Sequence, residues 1–208
     1  MENDGGHDPA DGLRQALRAA TRAAHHRADH HPLLAPLLGR RVAAGAYGDA
    51  LVALHALHAP LEARLAAFLP EAAPPLPCRA RALAHDIARL GRLAETRAAI
   101  WPTWDGAGPD SRSAYVGMRY VLEGSAQGGR VIRRLLDSSL PAACRAATAF
   151  FDGPPEVGDD PWNGFWSLGA GADPAAAAAA ARRLFDEALA LWDAHFDRRQ
   201  PGRRRADS

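Results

Sequence analysis

Lysine is absent from this chain of 208 residues, so all 25 of its basic residues are arginine. Against 24 acidic residues they leave a net charge of +1. So even a balance offers no overall field to attract nucleic acid or an acidic surface. Beside so much alanine, the arginine usage reads as coding bias rather than mechanism. Cysteine is nearly missing: Cys78 and Cys144 stand far apart, without the paired spacing of a zinc site or a disulfide framework. No apolar run approaches the roughly 20 residues that span a bilayer. Residues 1–12 are polar and rich in glycine and aspartate, without the apolar stretch of a secretory signal. β-Branched residues are scarce, which disfavours strands. These gaps leave the expectation of a soluble, cytoplasmic chain with neither a membrane nor a nucleic-acid partner.

What is present is helical periodicity. Apolar residues recur three and four apart almost throughout, which predicts an all-α, multi-helix single domain. Leu13, Leu17, Ala20 and Ala24 form one stripe of a helix over 11–29. A second is expected over 47–68 with a kink at Pro60, and a third over 79–93. The proline-rich stretch 70–77 reads as a connector. A long pattern covers 113–136, with a glycine-rich interruption at 124–129. Shorter helices are expected over 142–151 and 162–168. The last opens on Asp173 as N-cap and Pro174 at the first helical position, and runs to about residue 196. The domain is expected to occupy 12–197, between a disordered segment 1–11 and a disordered arginine-rich tail 198–208.

Nine histidines are the residues best suited to ligate metal or move protons. His26 and His30 share a face at a spacing of four, and His55 and His58 at three. No carboxylate or third histidine is taken to complete a site at the first pair, which reads as a solvated face, and the second pair is read the same way. No Glu-x-x-His motif is present, which excludes a di-iron carboxylate bundle. His25 keeps different company. Arg18 precedes it by seven residues, two turns and roughly 10 Å along one face, with Thr21 between them. That is about the span from a haem iron to its propionates, with an imidazole for the metal and a guanidinium for a carboxylate.

A second constellation is Tyr120-Val-Leu-Glu-Gly-Ser-Ala-Gln-Gly-Gly129, in which Tyr120, Gly124 and Gly128 are spaced by four. Each glycine inside a helix costs about 1 kcal/mol relative to alanine. Close approach of the backbone to a flat ligand would compensate. A kink between two short helices, or close helix–helix packing, would account for the glycines equally well. Gly169-Ala-Gly171 lacks the preceding strand of a phosphate loop, and Trp162, Phe165 and Trp166 read as core or pocket wall.

Taken together, Leu13-Arg-Gln-Ala-Leu-Arg-Ala-Ala-Thr21-Arg-Ala-Ala-His25 and Tyr120 to Ser125 followed by Gly128-Gly129 resemble the haem oxygenase family. The Glu-Gly-Ser form is similar to its bacterial branch associated with bacteriophytochromes. The resemblance covers about residues 12–196. It implies His25 as the iron ligand, Arg18 and Tyr120 as propionate contacts, and Gly124, Gly128 and Gly129 beneath the other face of the haem. It also assigns Gly124, Ser125 and Gly128 to catalysis. Ser125 stands where many members carry aspartate, and no basic pair near Trp162 matches a propionate site found in some of them. The implied activity is oxidative cleavage of haem, both cofactor and substrate, to biliverdin, carbon monoxide and ferrous iron. Electrons would come from an external reductase or ferredoxin, and a bacteriophytochrome would be the biliverdin acceptor. A haem-binding or storage protein of the same fold is the alternative, and a plain helical scaffold a third.

Overall fold

Leu13, Leu17, Thr21, Ala24 and Ala28 are all buried, and their three- and four-residue spacing is the inward stripe of the first helix. In a computed structural model of the chain, residues 9–68, 73, 75–76, 78–92, 102–153 and 161–199 are described. The helices are α1 (Pro9–Asp29), α2 (Ala44–Phe68), α3 (Arg79–Arg89), α4 (Arg112–Ser139), α5 (Ala149–Asp152), α6 (Pro161–Leu168) and α7 (Pro174–Arg199). Short 3₁₀ turns lie at Ala35–Leu38 and Ala142–Cys144, and no strand occurs among the described residues. The all-α reading therefore holds. No helix of the described residues is long and apolar enough to cross a membrane.

The packing centres on α7, which lies most extensively against α4 and α1. Its inward stripe carries four alanines, Ala177, Ala180, Ala181 and Ala188, among larger buried residues such as Leu184, Phe185 and Trp192. Small side chains let neighbouring helices approach closely. α2 is buried on most sides, from Tyr47 through Leu65, and forms the interior of the domain. Its Pro60 lacks an N–H, which leaves the Ala56 carbonyl without its helical donor. The backbone N–H of Trp104 donates to that carbonyl at 3.0 Å. The loop carrying Trp104 is latched further, because its indole N–H donates to Glu187 at 2.7 Å and Pro102 accepts from His195 at 2.7 Å.

Caps account for where helices start and stop. Ser111 accepts from the Ala114 N–H at 3.2 Å at the start of α4. Asp173 accepts from Ala175 at 2.9 Å at the start of α7, as its sequence position predicts. α3 ends sooner than the periodicity of 79–93 suggested. Gly91 takes φ +70, and the N–H groups of Gly91 and Arg92 donate to Ala88 and Ile87, each at 3.0 Å. That pair of bonds is a Schellman stop. The expected helix over 142–151 is instead a 3₁₀ turn and the short α5, whose Ala149 and Phe150 N–H groups both donate to the buried Asp86 carboxylate, at 3.0 and 2.9 Å.

The largest correction concerns the glycine-rich segment: α4 passes through 124–129 without a break. The i→i−4 ladder tolerates glycine, and buried residues on both sides (Ala114 to Arg119, Val121 and Leu122, then Gly129 and Leu136) hold the helix in place. α1 begins at Pro9 and α7 continues to Arg199, where Arg199 pairs with Asp49. The expected disordered stretches otherwise lie outside the described residues, as does most of the connector 70–77.

Candidate functional site

Seven residues separate Arg18 from His25 on α1, and both side chains line one cavity of about 800 Å³. Arg14 stands one turn before Arg18 on the same stripe. α4 supplies the facing wall through Tyr120, Val121, Gly124, Gln127, Gly128 and Val131, which recur at helical spacing. Phe185 of α7 and Trp166 of α6 complete it. The His25 ring lies against Phe185, centroids 5.1 Å apart and tilted by 53°. Tyr120 packs beside Phe165 and Trp166 at 6.0 and 6.3 Å.

Every charged side chain around this cavity is cationic. Arg130 and Arg134 of α4 join Arg14 and Arg18, and none of the described lining residues is acidic. Arg14 also sits over the Trp166 ring at 4.7 Å and pairs with Asp11 at 3.3 Å. Arg18 has no carboxylate partner among the described residues. Four guanidinium groups at one mouth constitute a receptor for carboxylates.

A second cavity of about 120 Å³ lies deeper, and it shares His25, Val121, Gly128 and Phe185 with the first. Its walls are mainly apolar, with Leu54, Leu57, Ile132, Phe150 and Phe151 among them. The outer cavity is cationic, and the inner one is mainly apolar, with Asp29, His25 and His58 also on its wall. Together they suit a flat hydrophobic molecule that carries its acids on one edge.

The glycines separate into different uses. A Cβ on Gly124 or Gly128 would meet nothing within 4 Å, whereas one on Gly129 would only touch Phe151 at 3.8 Å. Helix packing therefore does not account for Gly124 and Gly128. Ser125 lines the inner cavity, and its hydroxyl donates to the Leu122 carbonyl at 2.7 Å, which leaves the oxygen's lone pairs as acceptors. Thr21 departs from the expected stripe: it is buried, and its hydroxyl donates to Leu17 at 2.8 Å.

No group of three histidine, cysteine or carboxylate residues among the described residues could hold a bare metal ion. An iron that brings four ring nitrogens of its own needs one protein ligand, and a single imidazole suffices. His25 opposite unfilled space over Gly124 and Gly128, with arginines at the edge, fits a haem. His26 and His30 stack on each other at 4.3 Å and are exposed, as a solvated pair should be.

Sequence reasoning missed several residues here. Arg130 and Arg134 continue the helix that carries the glycines, and an assumed interruption hides the phase that brings them to the mouth. Phe185 lies 160 residues from His25, too far for any local pattern to connect them. His58 is not on a solvated face: it is 2% exposed and lines the inner cavity. The side chain of Trp162 lies outside the described residues.

No match to a curated protein or to a solved structure was found. The family model described as "Heme oxygenase" matches residues 11–167. That span takes in α1 with His25 and all of α4, the two walls of the cavity, and the chain belongs to the haem oxygenase family.

Proposed function

We propose that the chain is an active haem oxygenase, which binds haem between α1 and α4 and cleaves it to biliverdin, carbon monoxide and ferrous iron. The observation that carries this reading is the unfilled space over Gly124 and Gly128 in a cavity that His25 also lines. Bound haem would supply both the iron that activates oxygen and the macrocycle that is oxidised. The protein's part is placement. His25 would ligate the iron, and Arg18, with Tyr120 beside it, would hold a propionate. Gly124 and Gly128 would let the α4 backbone lie low over the opposite face, with Gly129 continuing that wall inward. Ser125 would accept a hydrogen bond from water there and keep it ordered without an ionisable side chain. Oxygen and external electrons, from a reductase or ferredoxin, complete the requirement. The Glu123-Gly124-Ser125 form supports a role supplying biliverdin to a bacteriophytochrome.

Optical titration with hemin tests the first half: a Soret band that saturates at one equivalent is required. Reductant and oxygen then test the second half, through the loss of that band and the growth of biliverdin absorbance. Binding without biliverdin would make the chain a haem carrier. The absence of saturable binding would leave only a helical scaffold.

A further inference from the structure

His58 is the most unusual polar side chain in the interior. It is 2% exposed, and its Nδ1 has no hydrogen-bond partner among the described residues. Nδ1 lies 3.5 Å from Glu62 Oε1, an electrostatic contact longer than a hydrogen bond. Glu62 is itself held, since the same oxygen accepts from the Ala80 N–H at the start of α3 at 2.9 Å. His58 also lines the inner cavity, together with Ser125 and Gly128. A buried polar group left unsatisfied costs about 1–3 kcal/mol. A leucine would fill this site without that cost, so packing alone gives no reason for an imidazole.

We infer that His58, backed by Glu62, is a positioning residue that holds water in the inner cavity beside the haem, together with the Ser125 hydroxyl. The inference rests on the haem oxygenase reading above. The carboxylate next to Nδ1 favours the tautomer with its proton there, which makes Nε2 an acceptor. Burial pushes the His58 pKa down from its usual 6.5, against the opposing pull of Glu62, so the ring stays neutral. A neutral Nε2 anchors a water through one of its protons and leaves the other proton directed into the cavity. Ser125 Oγ, whose own proton is committed to Leu122, anchors water in the same sense. A cavity of about 120 Å³ has room for such water. Two fixed acceptors on different helices, α2 and α4, thus take the place of one acidic side chain. They orient a proton donor without carrying charge themselves, in a cavity whose one lining carboxylate among the described residues is Asp29.

The test is the infrared stretch of carbon monoxide bound to the reduced hemin complex, a readout independent of turnover. A donated hydrogen bond near the bound gas lowers that frequency. His58→Ala is expected to raise it, while hemin affinity stays within about twofold and biliverdin formation slows about tenfold. His58→Gln should restore part of the shift, because its carboxamide oxygen accepts from the same water. Glu62→Gln should give an intermediate value by weakening the tautomer preference. A band unmoved in His58→Ala, with hemin uptake intact, overturns the inference and leaves the haem reading standing. If His58→Ala does not fold, Glu62→Gln decides by the same criterion. Wild-type protein that takes up no hemin overturns both.

Discussion

The carbonyl oxygen of Ala177 lies 2.0 Å from where a Cβ on Gly117 would stand. This contact ties the first half of α4 to the start of α7 and distinguishes the glycines of α4 by purpose. Gly117 exists for packing. Gly124 and Gly128, two and three turns further on, face space that no protein atom fills.

Substitution should separate the two roles. Gly117→Ala forces backbone apart and is expected to destabilise the fold by about 2 kcal/mol. A Cβ on Gly128 meets nothing within 4 Å, and leucine is the better helix former, so Gly128→Leu should keep thermal stability while saturable hemin binding is lost. Urea melts and hemin titrations of both variants provide the check. Equal loss of stability in the two would return Gly128 to a packing role.

His25→Ala should abolish tight hemin binding, and His26→Ala should leave it nearly intact. Adjacent helical residues point about 100° apart, and His26 stacks on His30 rather than lining the cavity. Soret titrations decide between them. The opposite ranking would move the iron ligand to the other residue.

The cationic mouth predicts a dependence on the carboxylates of the ligand. Arg18→Ala is expected to weaken hemin binding about threefold, the scale of an exposed ion pair. Adding Arg134→Ala should weaken it further, and raised salt should narrow the difference. The dimethyl ester of hemin, which lacks both carboxylates, should bind wild type and variants alike. An ester that distinguishes the variants would show that the arginines act through shape.

Stability should fall on acidification. Burial lowers the pKa of His55, His58 and His195 from 6.5. Below that value the unfolded chain takes up protons that the folded chain refuses, so it is favoured as pH drops. The loss should set in near pH 6.5 and continue until the depressed values are passed. Denaturant midpoints between pH 8 and 5 test this; a midpoint constant over that range would show the three rings to be accessible to protons in the fold.

Asp86 anchors α5 through two backbone N–H groups. Asp86→Ala leaves the buried Phe150 donor and the part-buried Ala149 donor unsatisfied and is expected to cost about 3 kcal/mol. Asp86→Asn keeps an acceptor and should cost less. Because α5 carries Phe150 and Phe151 to the inner cavity, the alanine variant should also bind hemin less tightly, as parallel melts and titrations would reveal.

The sequence by itself determined whatever depends on residues within one helix or at its ends. The stripe of α1, the Asp173–Pro174 start of α7 and the shared face of Arg18 and His25 follow from periodicity and capping, which are local physics. The Gly91 stop is local too, and was obscured only because the apolar pattern runs past it. Tertiary structure decided which faces meet. Two glycines eleven residues apart on one helix look alike in sequence, yet Ala177 stands over Gly117 and nothing stands over Gly128. His58 has the spacing of a surface pair and is enclosed because α2 is surrounded. Arg14, Arg18, Arg130 and Arg134 form one cationic mouth only because α1 and α4 line the same cavity. Burial and juxtaposition are properties of the packed whole, set by contacts between residues sixty or more positions apart.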